Sequence, residues 1–404
     1  MDKSTVFGKK YRTVCAREWP GKDFTGTHIL PLHQSNSFES PTMEEAIDVF
    51  TGRESGYIYT RYGNPTVNAV AEKLAFLEGL KSDTECHAIL SSSGMSAIST
   101  LCYSLLNSGD EMIIHPSLYG GSLELFTSEI QRAGIRVHQM DLRDTNQLES
   151  HLKSGSINAS AVFFESPTNP GLEILEIENI CAVASRYGLK TIVDNTFCTS
   201  YLQRPLDLGA DFTVYSTSKF INGHGNSMGG LIVSRDGEVM RKKVWKTMKL
   251  LGTNISPFEA WLINQGLKTL PLRMDSQCRN AMKVAEALQN FEWVKKVNYP
   301  GLKSNHYHEA AKTQMGNFGS MLSIELYADL STTIKFCNQL SFSKAPTLGD
   351  PDTLLLHPAT SSHINVDAKI REETGITDSL VRLSIGLEDP DDLIAELDIA
   401  GKSL

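Results

Sequence analysis

Lys219 stands in "YSTSKFINGHGNSMGG" (215–230), among small hydroxyl residues and just ahead of a glycine-rich turn. Four other stretches put polar side chains where apolar runs end. "KTIVDNTF" (190–197) leaves Asp194 at the end of an apolar strand, and "VFFESPTNP" (162–170) leaves Glu165 and Asn169 at another. "HPSLYGG" (115–121) places Tyr119 after a further strand. "ILSSSGMSAIS" (89–99) reads as a strand, a Ser-Ser-Ser-Gly turn and a helix start, which presents backbone N–H groups to an anion. One at a time these are a solvated lysine and ordinary cap or turn residues. Together they supply an amine, a carboxylate, an anion cradle and an aromatic face.

That combination is what pyridoxal 5′-phosphate demands. It needs a lysine to form the imine, a carboxylate to hold the pyridine nitrogen protonated, an anion site for the phosphate and an aromatic ring over its own. A rival reading takes "YSTSK" as Tyr-x-x-x-Lys and "GHGNSMG" as Gly-x-Gly-x-x-x-Gly, the two signatures of short-chain dehydrogenases. The order contradicts it. A dinucleotide fingerprint follows the first strand and opens a helix, whereas these glycines follow residue 220 and run into the strand-like "GGLIVS".

The elements that position these residues are legible as periodicity. Residues 1–65 read as loop-rich, with turn residues in "GKDFTGTHILPLHQSNSF" and "RESGYIYTRYGNPT". From about 66, "TVNAVAEKLAFLEGL" sets Val67, Val70, Ala71, Leu74, Leu77 and Leu80 on one helical face. "EMIIH", "IRVHQMD", "ASAVFFE", "KTIVD", "DFTVYS" and "GGLIVS" read as short apolar strands, with helices such as "SLELFTSEIQRAG" and "IENICAVASRYG" between several of them. That alternation is βαβ, hence a mostly parallel sheet covered by helices, with ligands at strand ends and helix N-termini. Near 260 a second region opens on a long, breakable helical stretch. It continues through the strands "GNFGSMLSIELY" and "SLVRLSIGLE" to the capped helix "DPDDLIAELDIAG".

Bulk properties exclude several classes. At 404 residues, 41% hydrophobic and 21% charged, the chain suits a soluble globular protein of two domains. A net charge of −9 argues against nucleic acid or an anionic membrane as partner. No apolar run approaches the ~18 residues that cross a bilayer, and the N-terminus carries no signal-peptide core. Seven cysteines at 15, 86, 102, 181, 198, 278 and 337, with no Cys-x-x-Cys, fit a reducing cytoplasm rather than a disulfide framework or zinc site. Several, Cys181 in a helix among them, are expected to pack as small apolar groups. The pair His306 and His308 lacks partners at metal-ligand spacing, so no metal is expected.

From about residue 25 to the C-terminus the chain resembles the Cys/Met-metabolism (trans-sulfuration) family of pyridoxal-phosphate enzymes. The resemblance is carried by "YTRYGNPT", "SSSGMSAI", "LYGG", "FFESPTNP", "IVDNTFCTSYLQRPLDLGAD", "STSKFINGHGN", "GLKTLPLRM", "NYPGL", "LGD" with "HPATSSH", and "LVRLSIGLED". The family includes methionine and cystathionine γ-lyases, cystathionine γ-synthase and O-acetylhomoserine sulfhydrylase. The resemblance implies an α/β, fold-type I aminotransferase-like architecture, with a large mostly parallel-sheet domain and a smaller C-terminal α/β domain. Its divisions would be an arm at 1–65, a cofactor domain at 66–260 and a substrate-carboxylate domain at 261–404. Lys219 would hold the cofactor and move protons, Asp194 would bond the pyridine nitrogen, and Tyr119 would stack on the ring and protonate the leaving group. Gly94, Met95, Ser216 and Ser218 would hold the phosphate, completed by Tyr59 and Arg61 of a neighbouring subunit in a cytoplasmic homotetramer. Asn169 would reach the ring oxygen or the substrate carboxylate, onto which Arg382 would fork. Thr347 would lie near that carboxylate. The reaction implied is loss of a Cγ heteroatom substituent from a small-molecule γ-substituted amino acid. The leaving atom would be sulfur, as in methionine or cystathionine, or oxygen, as in canavanine or an O-acyl-homoserine. The alternatives are γ-replacement by a thiol and a catalytically silent cofactor-binding protein.

Five positions depart from the family pattern. Gly121 stands where methionine γ-lyases carry cysteine, Leu250 where they carry an acid, and Thr347 where many members have serine. These three are expected around the pocket of the γ-substituent, where a methylene-scale change is worth ~1–3 kcal/mol and retunes preference without changing the reaction class. Tyr215 replaces a usual histidine and Asn226 a usual aspartate, and sequence gives neither a role.

Overall fold

The computed structural model describes residues 9–19, 26–82, 84–366, 368–402 and 404. The opening "MDKSTVFG" and the "GKDFT" of the arm lie outside the described residues. The remainder of the arm holds two short helices that a loop-rich reading missed, α1 (Tyr11–Ala16) and α2 (Met43–Thr51). Thr42 caps α2 by accepting from the Glu45 N–H, and Gly52 ends it at φ 71°. The α2 helix buries none of its residues, and Met43, Ile47 and Phe50 stand exposed on it. Met43, Ala46, Ile47 and Phe50 recur at helical spacing, so the helix was legible as an amphipathic stripe although its apolar face is not covered within the chain.

Asn64 and Pro65 start α3 (Pro65–Gly79): the Asn64 side chain accepts from the Thr66 N–H, and proline fixes the first turn. Val70, Ala71, Leu74 and Leu77 of its expected face are buried, each large one contributing about 1.5–3 kcal/mol. Val67 and Leu80 pack at the margin of the same cluster. Lys73 and Glu78, two charged residues, are buried on this helix as well.

The large sheet contains β1 (His87–Ser91), β2 (Glu111–Ile114), β3 (Arg136–Gln139), β4 (Ala159–Glu165), β5 (Lys190–Asp194), β6 (Phe212–Ser216) and β7 (Gly230–Ser234), in the order β1-β7-β6-β5-β4-β2-β3. Strands β6, β5, β4, β2 and β3 run parallel, while β7 is antiparallel to both β6 and β1. The sheet is mostly parallel, as expected, with one reversal that periodicity does not encode. Register then aligns the strand ends: Glu165 pairs with Asp194, Asp194 with Val214, Ser216 with Gly230 and Gly230 with Ser91. One end of the sheet thereby collects the polar positions.

The C-terminal region forms a second sheet of β8 (Val294–Asn298), β9 (Met321–Leu326), β10 (Leu354–Leu356) and β11 (Leu380–Ser384), antiparallel throughout in the order β10-β11-β9-β8. The long helical stretch breaks into Pro257–Leu267 and Leu270–Leu288. All seven cysteines are free, and Cys181 is buried in its helix. Among the described residues no helix is long and apolar enough to cross a membrane.

Candidate active site

The chain reverses between β6 and β7, and Lys219 sits in that reversal. Its N–H reaches the Ser216 carbonyl at 3.2 Å, and the Gly223 N–H returns to the Lys219 carbonyl at 2.7 Å. Arg273 locks the turn from behind. Its guanidinium donates to the carbonyls of Phe220, Ile221, Asn222 and Gly266 at 2.9–3.3 Å. Gly223 adopts φ +62°, and a Cβ there would fall 1.8 Å from the Arg273 Nη1, so glycine is required twice over. Arg273 lies in "GLKTLPLRM", a stretch that carries the family resemblance but does not by itself assign the residue a task. The substituted Asn226 is accounted for nearby, where it accepts from the Asn222 amide at 2.9 Å.

Lys219 projects into a cavity of about 550 Å³ whose wall includes Gly94, Met95, Tyr119, Glu165, Asn169, Asp194, Ser216, Ser218 and Arg382. Sequence reasoning singled out all nine, from positions up to 288 residues apart. Thr347 also belongs: Lys219 Nζ donates to its Oγ1 at 2.9 Å. Burial, reinforced by the positive Arg382, pulls the Lys219 ammonium below its ordinary range, with Asp350 opposing.

The anion cradle is built by capping. Ser93 accepts from the Ser96 N–H at 3.0 Å and gives its own N–H to the Ser96 hydroxyl at 2.8 Å, which opens helix α4 (Gly94–Leu105) on the cavity. A Cβ at Gly94 would stand 2.8 Å from the Ser216 Cβ, so only glycine lets the helix start and β6 meet. The Ser218 hydroxyl accepts from the Gly229 N–H at 2.9 Å, which fixes it at the same rim.

Asp194 is held by Thr196, whose N–H donates to its Oδ1 at 2.9 Å while the Thr196 Oγ1 accepts from the Ser216 N–H. Glu165, its register neighbour, accepts from the Tyr119 N–H at 2.9 Å. Burial raises both carboxyls, and the Asp194 charge raises Glu165 further. Two adjacent carboxyls held mainly by neutral groups call for a cation between them and solvent. A protonated pyridine nitrogen answers that need.

The Tyr119 ring, 42% exposed, stands at the mouth, and the two glycines after it make room. A Cβ at Gly120 would lie 1.8 Å from the Ser362 carbonyl oxygen, and one at Gly121 would lie 2.7 Å from the Tyr119 Cε1. Arg382 on β11 is buried and drawn down to about 10 by desolvation, against the pull of Tyr119 and Glu165. It donates to the Asn169 Oδ1 at 3.1 Å and to the Thr347 carbonyl at 3.2 Å.

Three expected positions stand apart from this cavity wall. Arg61 donates to the Lys249 carbonyl at 2.7 Å and lies over the rings of Tyr59 and Tyr62. Tyr59 is 40% exposed. Leu250, expected beside the γ-substituent, is instead exposed at the helix surface next to the residue that holds Arg61, and corrects that expectation for a single chain.

A largely buried lysine, a carboxylate and a helix-start cradle at one end of an open α/β sheet fit pyridoxal 5′-phosphate. The family model for Cys/Met metabolism PLP-dependent enzymes matches residues 12–402. L-methionine gamma-lyase of Porphyromonas gingivalis is 39% identical over 374 residues, 92% of each chain. O-succinylhomoserine sulfhydrylase of Pseudomonas aeruginosa is 37% identical over 395 residues, 98% of this chain and 96% of the relative. The crystal structure of cystathionine gamma synthase from Xanthomonas oryzae pv. oryzae, 34% identical, superposes with a TM-score of 0.90 over 98% of both chains. The chain belongs to the Cys/Met-metabolism family and is a PLP-dependent enzyme of fold type I.

Proposed function

We propose that this enzyme removes a heteroatom substituent from Cγ of an L-amino acid. The observation that carries the reading is the convergence of Lys219, Asp194, Tyr119 and Arg382 on one cavity. When bound, pyridoxal phosphate supplies an electron sink for negative charge at Cα and Cβ. Asp194 holds the proton on the ring nitrogen. Gly94, Met95, Ser216 and Ser218 bind the phosphate through amides and hydroxyls. Arg382 takes the substrate carboxylate, with Asn169 fixing the plane of the guanidinium. Lys219, freed at its Nζ and steadied by Thr347, takes the proton from Cα and then from Cβ. The Tyr119 hydroxyl gives a proton to the departing group at Cγ.

The same reading takes 1–65 as an arm that brings Tyr59 and Arg61 to a neighbouring subunit's phosphate, 66–260 as the cofactor domain and 261–404 as the carboxylate domain. The exposure of Tyr59 and the engagement of Arg61 with Lys249 rather than with its own cavity wall support it, as does the surface position of Leu250 beside them. The assembly proposed is a cytoplasmic homotetramer of two site-sharing dimers. A second reading, γ-replacement, is favoured by the sulfhydrylase relative that matches 98% of the chain. A panel of γ-substituted amino acids, with and without thiol, separates the two by product mass. Elimination yields a four-carbon product that has lost the γ-substituent without thiol. A product that appears only with thiol and carries it at Cγ overturns elimination.

A further inference from the structure

Tyr215 points away from the cavity, to the opposite face of the sheet from its neighbour Ser216, and is 1% exposed. Its hydroxyl donates to the Glu78 Oε2 at 2.7 Å. Glu78, at the last turn of α3, is equally buried, and its Oε1 finds no hydrogen-bond partner among the described residues. The Tyr215 oxygen in turn accepts from the Asn195 Nδ2 at 3.1 Å, whose second proton goes to the Gln203 carbonyl at 2.8 Å. Gln203 donates to the Asn195 Oδ1 at 2.9 Å and to the Ser166 carbonyl at 2.7 Å, and accepts from Gln314 at 3.1 Å.

The donors fix the sense of this chain. Both Asn195 amide protons are committed, so the tyrosine oxygen is an acceptor towards Asn195 and its own proton must point to Glu78. The chain begins at Gln314, crosses behind the ends of β4, β5 and β6, and terminates on one carboxyl. Each of those strands delivers a cavity residue in front. Asn195 lies between Asp194 and Thr196, and Thr196 holds both the Asp194 carboxyl, by its N–H, and the Ser216 amide, by its hydroxyl. Ser166 opens the loop that leads to Asn169.

We propose that Tyr215 and Glu78 are positioning residues: through Asn195 they fix the Asp194 carboxylate from the far side of the sheet. The inference rests on the reading of Asp194 as the partner of the pyridine nitrogen. It gives Tyr215, a departure from the family pattern, a task that a shorter histidine does not perform in the same way. It also accounts for a buried carboxyl outside the catalytic set. Buried chains of this kind are strong when complete and costly when broken: loss of the Tyr215 hydroxyl removes one of the three side-chain bonds that fix Asn195, and loss of Glu78 leaves the buried Tyr215 proton unpaired.

The experiment uses the full-length protein, stripped of cofactor and titrated with pyridoxal 5′-phosphate. It compares Tyr215→Phe, Glu78→Leu and Asp194→Asn with wild type. The readouts are the cofactor dissociation constant, the visible spectrum of the bound cofactor across pH, and the melting temperature before cofactor is added. Tyr215→Phe is expected to weaken cofactor binding about tenfold and to shift the pH-dependent spectrum towards that of Asp194→Asn. Glu78→Leu replaces a half-paired buried carboxyl by apolar volume, so it is expected to stay folded while moving the spectrum the same way. If Asp194→Asn shifts the spectrum and both other variants keep the wild-type spectrum and affinity, whatever their melting temperatures, the positioning role is overturned. If Asp194→Asn itself leaves the spectrum unchanged, the reading of Asp194 fails and the inference falls with it.

Discussion

Lys219 Nζ donates to the Thr347 hydroxyl at 2.9 Å, which ties the reactive amine to the strand-rich C-terminal region 128 positions away. The contact aims the amine into the cavity while the carbonyl of the same threonine accepts from Arg382. Thr347→Val keeps the shape and removes the acceptor, and is expected to lower kcat roughly tenfold or more, the order of a lost hydrogen bond to a charged group. Thr347→Ser retains the bond and is expected to leave kcat near wild type while shifting relative kcat/KM between substrates by ~1–3 kcal/mol. Steady-state kinetics on both variants check this. Equal losses in the two would mean the hydroxyl is irrelevant.

Tyr119 stands at the cavity mouth with its amide anchored on Glu165 at 2.9 Å. Tyr119→Phe keeps the ring and loses the acid. Turnover is expected to fall by ~10²–10⁴-fold, less for substrates whose leaving group needs no proton. A leaving-group series measures the slope. Equal slowing across the series would reduce Tyr119 to a stacking platform.

Arg61 donates to the Lys249 carbonyl of its own chain and is not part of its own cavity wall, in keeping with a site completed by a neighbouring subunit. Arg61→Ala is therefore expected to weaken cofactor binding, and mixing it with Lys219→Ala is expected to restore some activity. One site in a mixed pair would hold an intact lysine and an intact arginine. No recovery, where tagged subunits demonstrably exchange, would contradict a shared site.

Glu78 titrates in a useful window. Burial raises it from an ordinary value near 4.5 up to about 7, with Tyr215, Tyr11, Cys86, Arg204, Asp207 and Arg235 around it. A raised carboxyl favours the folded state while protonated. Its contribution is complete below pH 4.5 and is lost as pH rises to about 7. Asp194 and Glu165 are raised too, so the informative quantity is the difference between wild type and Glu78→Gln. The melting temperature of the cofactor-free protein is expected to fall more steeply over that window in wild type. Lys73, lowered to about 8 by burial, changes charge above it and does not interfere. Parallel curves would show that Glu78 does not titrate there.

Lys219, Asp194, Glu165, Asn169 and the Ser-Ser-Ser-Gly turn were legible as punctuation (a polar residue ending an apolar strand, a serine–glycine turn opening a helix, a lysine before a glycine turn), whereas Arg382, Thr347, Ser216 and Ser218 were placed by the family resemblance alone. Such punctuation is local. What stayed hidden is long-range. The reversal of β7 depends on pairing with β1, where Ile232 meets Ile89 from 143 positions earlier. The small strand β8 carries exposed Lys295 and Lys296, so its pattern does not read as a core strand. Glu78 sits in a helical stretch where a charged residue reads as solvated, and only the fold brings it against Tyr215, 137 positions away. Arg273 was overlooked for the same reason, because four of its five acceptors are backbone carbonyls that no side-chain pattern announces.

Lys219 is the residue proposed to hold the cofactor. Reduction of the pyridoxal-phosphate-loaded protein with borohydride, followed by peptide mapping, tests it most directly. The expected result is a single modified peptide within "YSTSKFINGHGNSMGG" with the pyridoxyl group on Lys219, and no incorporation in Lys219→Ala. Modification of another lysine at full stoichiometry, or retention of the label in Lys219→Ala, would contradict it.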